Sequence, residues 1–308
     1  MKDIANRYAP VAEAVGSLAI VVFLFSLVPA YAQDADNLPT FPTLSEEELG
    51  RVQEVLNRSY AFAPIELDIP DDPAAIADGQ RLGKLHGCLV CHGADASGNS
   101  FGDSEVGQLI MPNLTASVRK YDDPELVGMI KGGIHVSGRS LVGMPSQSFA
   151  LVADEELGKI LAYIKSLPLS EGPETGGLVL GPAFYPMVSS PDFLPVAELV
   201  QQVRAGMHKI PEASKPEAEV GHYLAQTVCS HCHGIELTGT PREGTPHLAI
   251  ASAYSLDDFA RLLRTGIALG ERESGMRGTA TEMLQVLTES EIASIYSYLK
   301  NDFVGGGQ

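Results

Sequence analysis

Two tandem, mostly helical domains are what this sequence predicts, and three observations predict them. All four cysteines fall in two copies of one pentapeptide, Cys88-Leu89-Val90-Cys91-His92 and Cys229-Ser230-His231-Cys232-His233. A longer repeat accompanies them, because Tyr121 to Ile134 aligns without a gap onto Tyr254 to Ile267. Both copies of that stretch space their apolar residues at helical intervals. A chain of 308 residues with 44% hydrophobic content can give each copy a core of its own.

From the N-terminus, Lys2 and Arg7 precede an apolar run from Ala14 to Val28, and Ala30-Tyr31-Ala32 follows it. Small residues after such a run mark a secretory cleavage site. Counted from Val11, the run approaches membrane-spanning length, so residues 1–32 read as a signal peptide or a membrane anchor. Either reading exports the rest of the chain. Residues 33–76 form an N-terminal extension, in which Ser45-Glu46-Glu47-Glu48 is a capping-box pattern that predicts a helix to about Arg58. The first domain is expected at 77–168 and the second at 219–303, joined by a connection at 169–218. The start of that connection is rich in Pro and Gly, and Phe184, Tyr185 and Phe193 predict that it packs against the domains.

The formal charge is −18, from 21 basic and 39 acidic residues. Removing residues 1–32 takes away Lys2, Arg7, Asp3 and Glu13 and leaves it unchanged. So acidic a surface repels nucleic acid, keeps an exported protein soluble, and steers association with a partner that presents a basic face.

The pentapeptide Cys-x-x-Cys-His is the attachment signature of a c-type haem. Two thiols at this spacing can add to the two vinyl groups of one macrocycle, and the adjacent His then reaches the iron from the same side. Short-loop disulfides or a four-cysteine zinc site would leave the His after each pair unexplained. Cys88, Cys91, Cys229 and Cys232 are therefore the expected attachment sites of two covalently bound haem c groups, with His92 and His233 as iron ligands.

A sixth ligand must come from elsewhere in each half, and a Met opposite His raises the potential. The first half reads Gly138 to Gly143-Met144-Pro145 and the second Gly270 to Gly275-Met276, with Gly and Met at the same offsets. Met144 and Met276, each in a loop before the last helix, are the expected sixth ligands. Met129 falls in a helical apolar pattern, and Met283 breaks the repeat. His135 or His247 could replace a Met only by giving a bis-His iron, and neither recurs at the aligned position in the other half.

With these residues in place, the chain resembles the class I cytochrome c family, in particular two-haem proteins of tandem domains like the cytochrome subunits of periplasmic dehydrogenases. The resemblance rests on both pentapeptides, on Pro112-Asn113-Leu114 and Pro246-His247-Leu248, and on the Gly-Met loops before a Tyr-containing last helix. It implies a helix running into each haem motif, a middle helix after Tyr121 or Tyr254, and a last helix packed across the first. It also implies a non-enzymatic carrier or electron-transfer subunit that passes single electrons from a periplasmic or membrane-bound donor, such as a dehydrogenase, to a cytochrome or oxidase in a respiratory-type chain. A peroxidase or sulfur-compound oxidoreductase with one open haem is the alternative. A thiolate-ligated sulfur enzyme would need a cysteine that this chain does not have to spare.

Overall fold

The computed structural model describes residues 45–103, 107–181, 185–208, 210–240 and 244–304, and the apolar N-terminal run lies outside them. Among the described residues no helix is long and apolar enough to cross a membrane. The chain forms two compact units, neither of them a contiguous stretch. Of the described residues, one takes those up to 67, with those in 96–150 and 168–201, and the other takes 68–95, 151–167 and those from 202 onward.

In the first unit the extension helix Glu46–Asn57 begins as the sequence predicts. Ser45 accepts from the Glu48 backbone N–H, and Glu48 accepts in return from the Ser45 N–H. The segment after it runs along the first-half repeat, with Tyr60 N donating to Gly138 O at 2.8 Å and Ile65 N to Pro124 O at 3.0 Å. The middle helix Asp123–Gly132 starts from a capping box of Asp122 and Glu125 and ends on Gly133 in the left-handed region. A small antiparallel sheet joins β1 (Asn99–Asp103), β2 (Gly107–Met111) and β3 (Gly177–Leu180), with β2 in the centre. Pairing of Leu109 with Leu178 sets the register of its outer strand.

The connecting segment is thus built into this unit twice. It supplies β3, and it supplies the helix Val196–Arg204, whose Val196 and Val200 lie against Gly133. Ala197 N donates to Ser140 Oγ at 3.0 Å. Arg58 and Tyr60, from the extension, both bond Glu198 on the same helix, Tyr60 at 2.7 Å.

The second unit holds two pairs of crossing helices. The leading helix Pro73–Leu85 packs on the closing helix Asp154–Ser166, and the leading helix Pro216–Leu224 packs on the closing helix Glu289–Tyr298. Each crossing is made by a glycine. A Cβ on Gly79 would run into the Lys159 carbonyl, and one on Gly221 into the Ser294 carbonyl, so only a bare Cα lets the backbones approach this closely. Ser294 locks the second crossing by accepting from Gly221 N at 2.7 Å and donating to Glu217 O at 2.8 Å. Around it Leu224, Ala225, Val228, Leu262, Leu263, Ile292, Ile295 and Tyr298 form one apolar core. Leu85, at the end of the other leading helix, belongs to that core.

Candidate haem-attachment sites

The second pentapeptide is presented by a helix that never breaks. Pro216 opens it, where a missing N–H costs nothing, and after Leu224 it continues as a π turn, Ala225–Cys229, directly into Ser230–His233. Cys229 and Cys232 are free thiols one helical turn apart. His233 is buried, and its Nδ1 lies 2.8 Å from Pro246 O. A carbonyl can only accept, so Nδ1 carries the proton and Nε2 is left with its lone pair for a metal. Burial lowers the His233 pKa, and the bond to Pro246 opposes this without reversing it, which keeps the ring neutral as a ligand requires.

The loop behind the ring is equally fixed. Thr245 Oγ1 donates to Cys232 O at 2.9 Å, and Gly239 N donates to His233 O at 2.9 Å. Leu237 is fully buried at φ 57, a left-handed conformation that is rare for a branched side chain, and its carbonyl accepts from Leu248 N at 2.9 Å. The first half repeats this device. Ala96 is fully buried at φ 60, and its carbonyl accepts from Leu114 N at 2.9 Å. The Pro-x-Leu segments therefore have a physical role: the Leu N–H anchors the left-handed residue, and in the second half the Pro carbonyl orients the ligand ring.

The first pentapeptide reaches the same turn by another route. Its leading helix stops at Leu85, His86 caps it, and Gly87 at φ 77 turns the chain before Cys88–Cys91. His92 is buried, and its backbone N–H donates to Cys88 O at 2.9 Å. Burial pushes the Cys88 thiol up to about 12, Cys91 to about 11 and Cys229 to about 12. Among the described residues no group of three or more His, Cys, Asp and Glu is gathered as a metal site, so the two pairs do not join as a four-cysteine zinc centre.

These residues fit covalent haem. Each pair of free thiols shares one helical turn with a buried histidine, and the ring whose bonding is visible has the tautomer that ligates iron.

Met276 follows the middle helix Leu256–Thr265 and its left-handed end at Gly266, and it is half-buried against the second core. Its N–H donates to Ser274 Oγ at 3.2 Å and its carbonyl accepts from Ala280 N at 2.7 Å. Met144 is half-buried in the first unit, whereas Cys88, Cys91 and His92 lie in the second. The loop before each Met closes alike, since Leu141 N bonds Gly133 O at 2.7 Å and Ser274 N bonds Gly266 O at 2.9 Å.

Matching Gly offsets is not, however, the structural register. In the hairpin of β4 (Ile267–Ala268) and β5 (Arg272–Glu273) the left-handed residue that matches Gly138 is Glu271, at φ 58. Met276 thus comes one residue sooner after its helix than Met144 does. Met283 is buried, with its sulfur 3.7 Å from where a Cβ on Gly87 would lie.

The rival histidines have other work. His247 Nδ1 accepts from Ala249 N at 3.0 Å and caps a 3-10 turn, while its ring lies against Phe303. His135 bonds Tyr121 Oη at 3.1 Å and Ser137 Oγ at 2.8 Å. Arg264, aligned with Lys131, bonds Gln285 O and Glu289, each at 2.8 Å. What the sequence missed is a part-buried polar cluster of His86 and Tyr223, from the leading helices, with Glu156 of the closing helix Asp154–Ser166. The failure of His86 to recur in the second half is the one signal of it.

A family model described as Cytochrome c matches the chain twice, over residues 76–168 and 218–302. No curated protein matches it.

Proposed function

The chain belongs to the cytochrome c family and carries two covalently bound c-type haems that serve electron transfer, and on that premise we propose a dihaem carrier or electron-transfer subunit. It takes single electrons from a periplasmic or membrane-bound donor and delivers them to a cytochrome or oxidase in a respiratory-type chain. The observation that supports this reading is that the sequence of each half offers one His and one Met as candidate axial ligands, His92 with Met144 and His233 with Met276. An iron with two protein ligands has no open position for a substrate.

When bound, each haem supplies an iron that alternates between ferric and ferrous states. Cys88 and Cys91 tether one group in the domain 77–168, and Cys229 and Cys232 tether the other in the domain 219–303. The Pro246 carbonyl keeps the His233 proton on Nδ1 and so aims Nε2 at the metal. Met144 and Met276, as sixth ligands, would set the potential high through their thioethers. The charge of −18 favours partners with a basic docking face, and residues 1–32 supply the export signal or an anchor to the membrane.

A redox titration of the purified holoprotein, followed by optical and magnetic spectroscopy and by the near-infrared sulfur-to-iron band, tests the reading. Two low-spin His/Met haems that do not react with carbon monoxide are expected. Met144→Ala should remove one band and Met276→Ala the other. One high-spin or readily opened haem in the unaltered protein would replace the carrier reading with an enzymatic one.

A further inference from the structure

We infer that Glu156 is a positioning residue for the two haem-attachment turns, bridging His86 and Tyr223 through one carboxylate oxygen and so setting the potentials of the haems those turns hold. This rests on the electron-transfer reading and deepens it. His86 caps the leading helix Pro73–Leu85 just before Cys88, and its side chain is fully buried. Tyr223 lies on the other leading helix, which runs on into Cys229. Glu156 stands in the first turn of the closing helix Asp154–Ser166. Its Oε2 accepts from Tyr223 Oη at 2.8 Å and lies 3.2 Å from His86 Nε2. Tyr223 Oη in turn accepts from Ala153 N at 3.0 Å. Three helices therefore meet at one oxygen, and two of them lead into an attachment turn.

Other contacts bring the same parts together. Arg81, on the first leading helix, reaches Glu291 of the second closing helix at 3.1 Å and is steadied by Asp78 at 3.1 Å. Leu85 and Val90 pack on the second core, and Met283 lies against Gly87. Apolar burial supplies the adhesion here. The carboxylate adds direction and a negative charge on a side chain that is only 26% exposed. Burial pushes the Glu156 pKa up, but the bonds from His86 and Tyr223 outweigh that and hold it below the usual carboxylate range. A fixed negative charge favours the more positive, oxidised state of a nearby metal centre, so Glu156 lowers both potentials.

The test uses the holoprotein with Glu156→Gln, which keeps the shape and removes the charge, and with Tyr223→Phe, which removes one donor. Both potentials are read by redox titration, with the Met band as a check on ligation. E156Q should raise the equilibrium constant for reducing each haem by about tenfold, or about 59 mV for a one-electron couple. Tyr223→Phe keeps the charge and strips a donor that offsets it, so it should lower the constant, by about threefold. Unchanged potentials in E156Q, with both haems bound, would overturn the inference while leaving the carrier reading intact. If E156Q does not fold, the fall in Tyr223→Phe decides, and its absence is equally fatal. A high-spin haem in the unaltered protein would instead sink the carrier reading and this inference with it.

Discussion

In the first half the leading helix ends at Leu85 and the chain turns left-handed at Gly87 before the cysteines, whereas in the second half Pro216–Leu224 passes through a π turn without a break. The broken route spends one residue more between its crossing glycine, Gly79, and its first cysteine than the continuous route spends after Gly221. Both arrive at the same Cys-x-x-Cys-His turn. The fixed points of each half are thus the helix crossing and the attachment turn, and the backbone between them is what adapts. The loops behind the ligand differ in the same spirit. The first half inserts β1 and β2 where the second has a single bridge from Thr240 to Thr245, yet both keep a left-handed residue bonded to the Leu of Pro-x-Leu.

The comparison breaks most severely if one attachment turn is emptied. Replacing Cys229 and Cys232 together by Ala should halve the haem absorbance per chain and destabilise the second core, because a domain of this size depends on the macrocycle to complete it. Replacing Cys88 and Cys91 should leave the second haem spectrum intact. Absorbance per chain and thermal unfolding, measured on both variants, check this.

The glycine crossings come next. Gly79→Ala and Gly221→Ala each force a methyl into a carbonyl and should cost about 3 kcal/mol, seen as a lowered urea midpoint at an unchanged slope. A tolerated substitution at either would show that its crossing is not a fixed point. Ser294→Ala should cost about 1 to 2 kcal/mol by the same measurement, since it strips bonds from Gly221 and Glu217 only at the second crossing.

The smallest effect concerns acid. The folded pKa of Glu156 is lowered, so its contribution is present above the ordinary value of 4.5 and is lost as pH falls through the folded value. The stability difference between the unaltered protein and E156Q should shrink over that interval. A difference independent of pH would mean that the carboxylate is not held as its bonds require.

Much of this was legible in the residues. The pentapeptides and the repeat marked both turns, and Ser45 and Glu48 marked the start of the extension helix because a capping box is a local, two-residue device. The sheet was not legible. Asn99–Asp103 has no alternating pattern, and its neighbour β2 finds its third strand far along the chain, at Gly177–Leu180. Gly offsets suggested one alignment of the Met loops, and the strand pairing gives another, in which Glu271, left-handed beside the left-handed Gly270, stands opposite Gly138 in the repeat. The Glu156 cluster was barely legible, since its three members are joined only by tertiary packing and His86 and Tyr223 do not repeat.

The raised thiol pKa values carry a consequence for biogenesis. In the closed chain at neutral pH Cys88, Cys91 and Cys229 are protonated, and a thiol adds to a vinyl group less readily than a thiolate does. Haem addition to the folded apoprotein should therefore be slower than addition to the unfolded chain, which the rise of haem absorbance in the two forms would check.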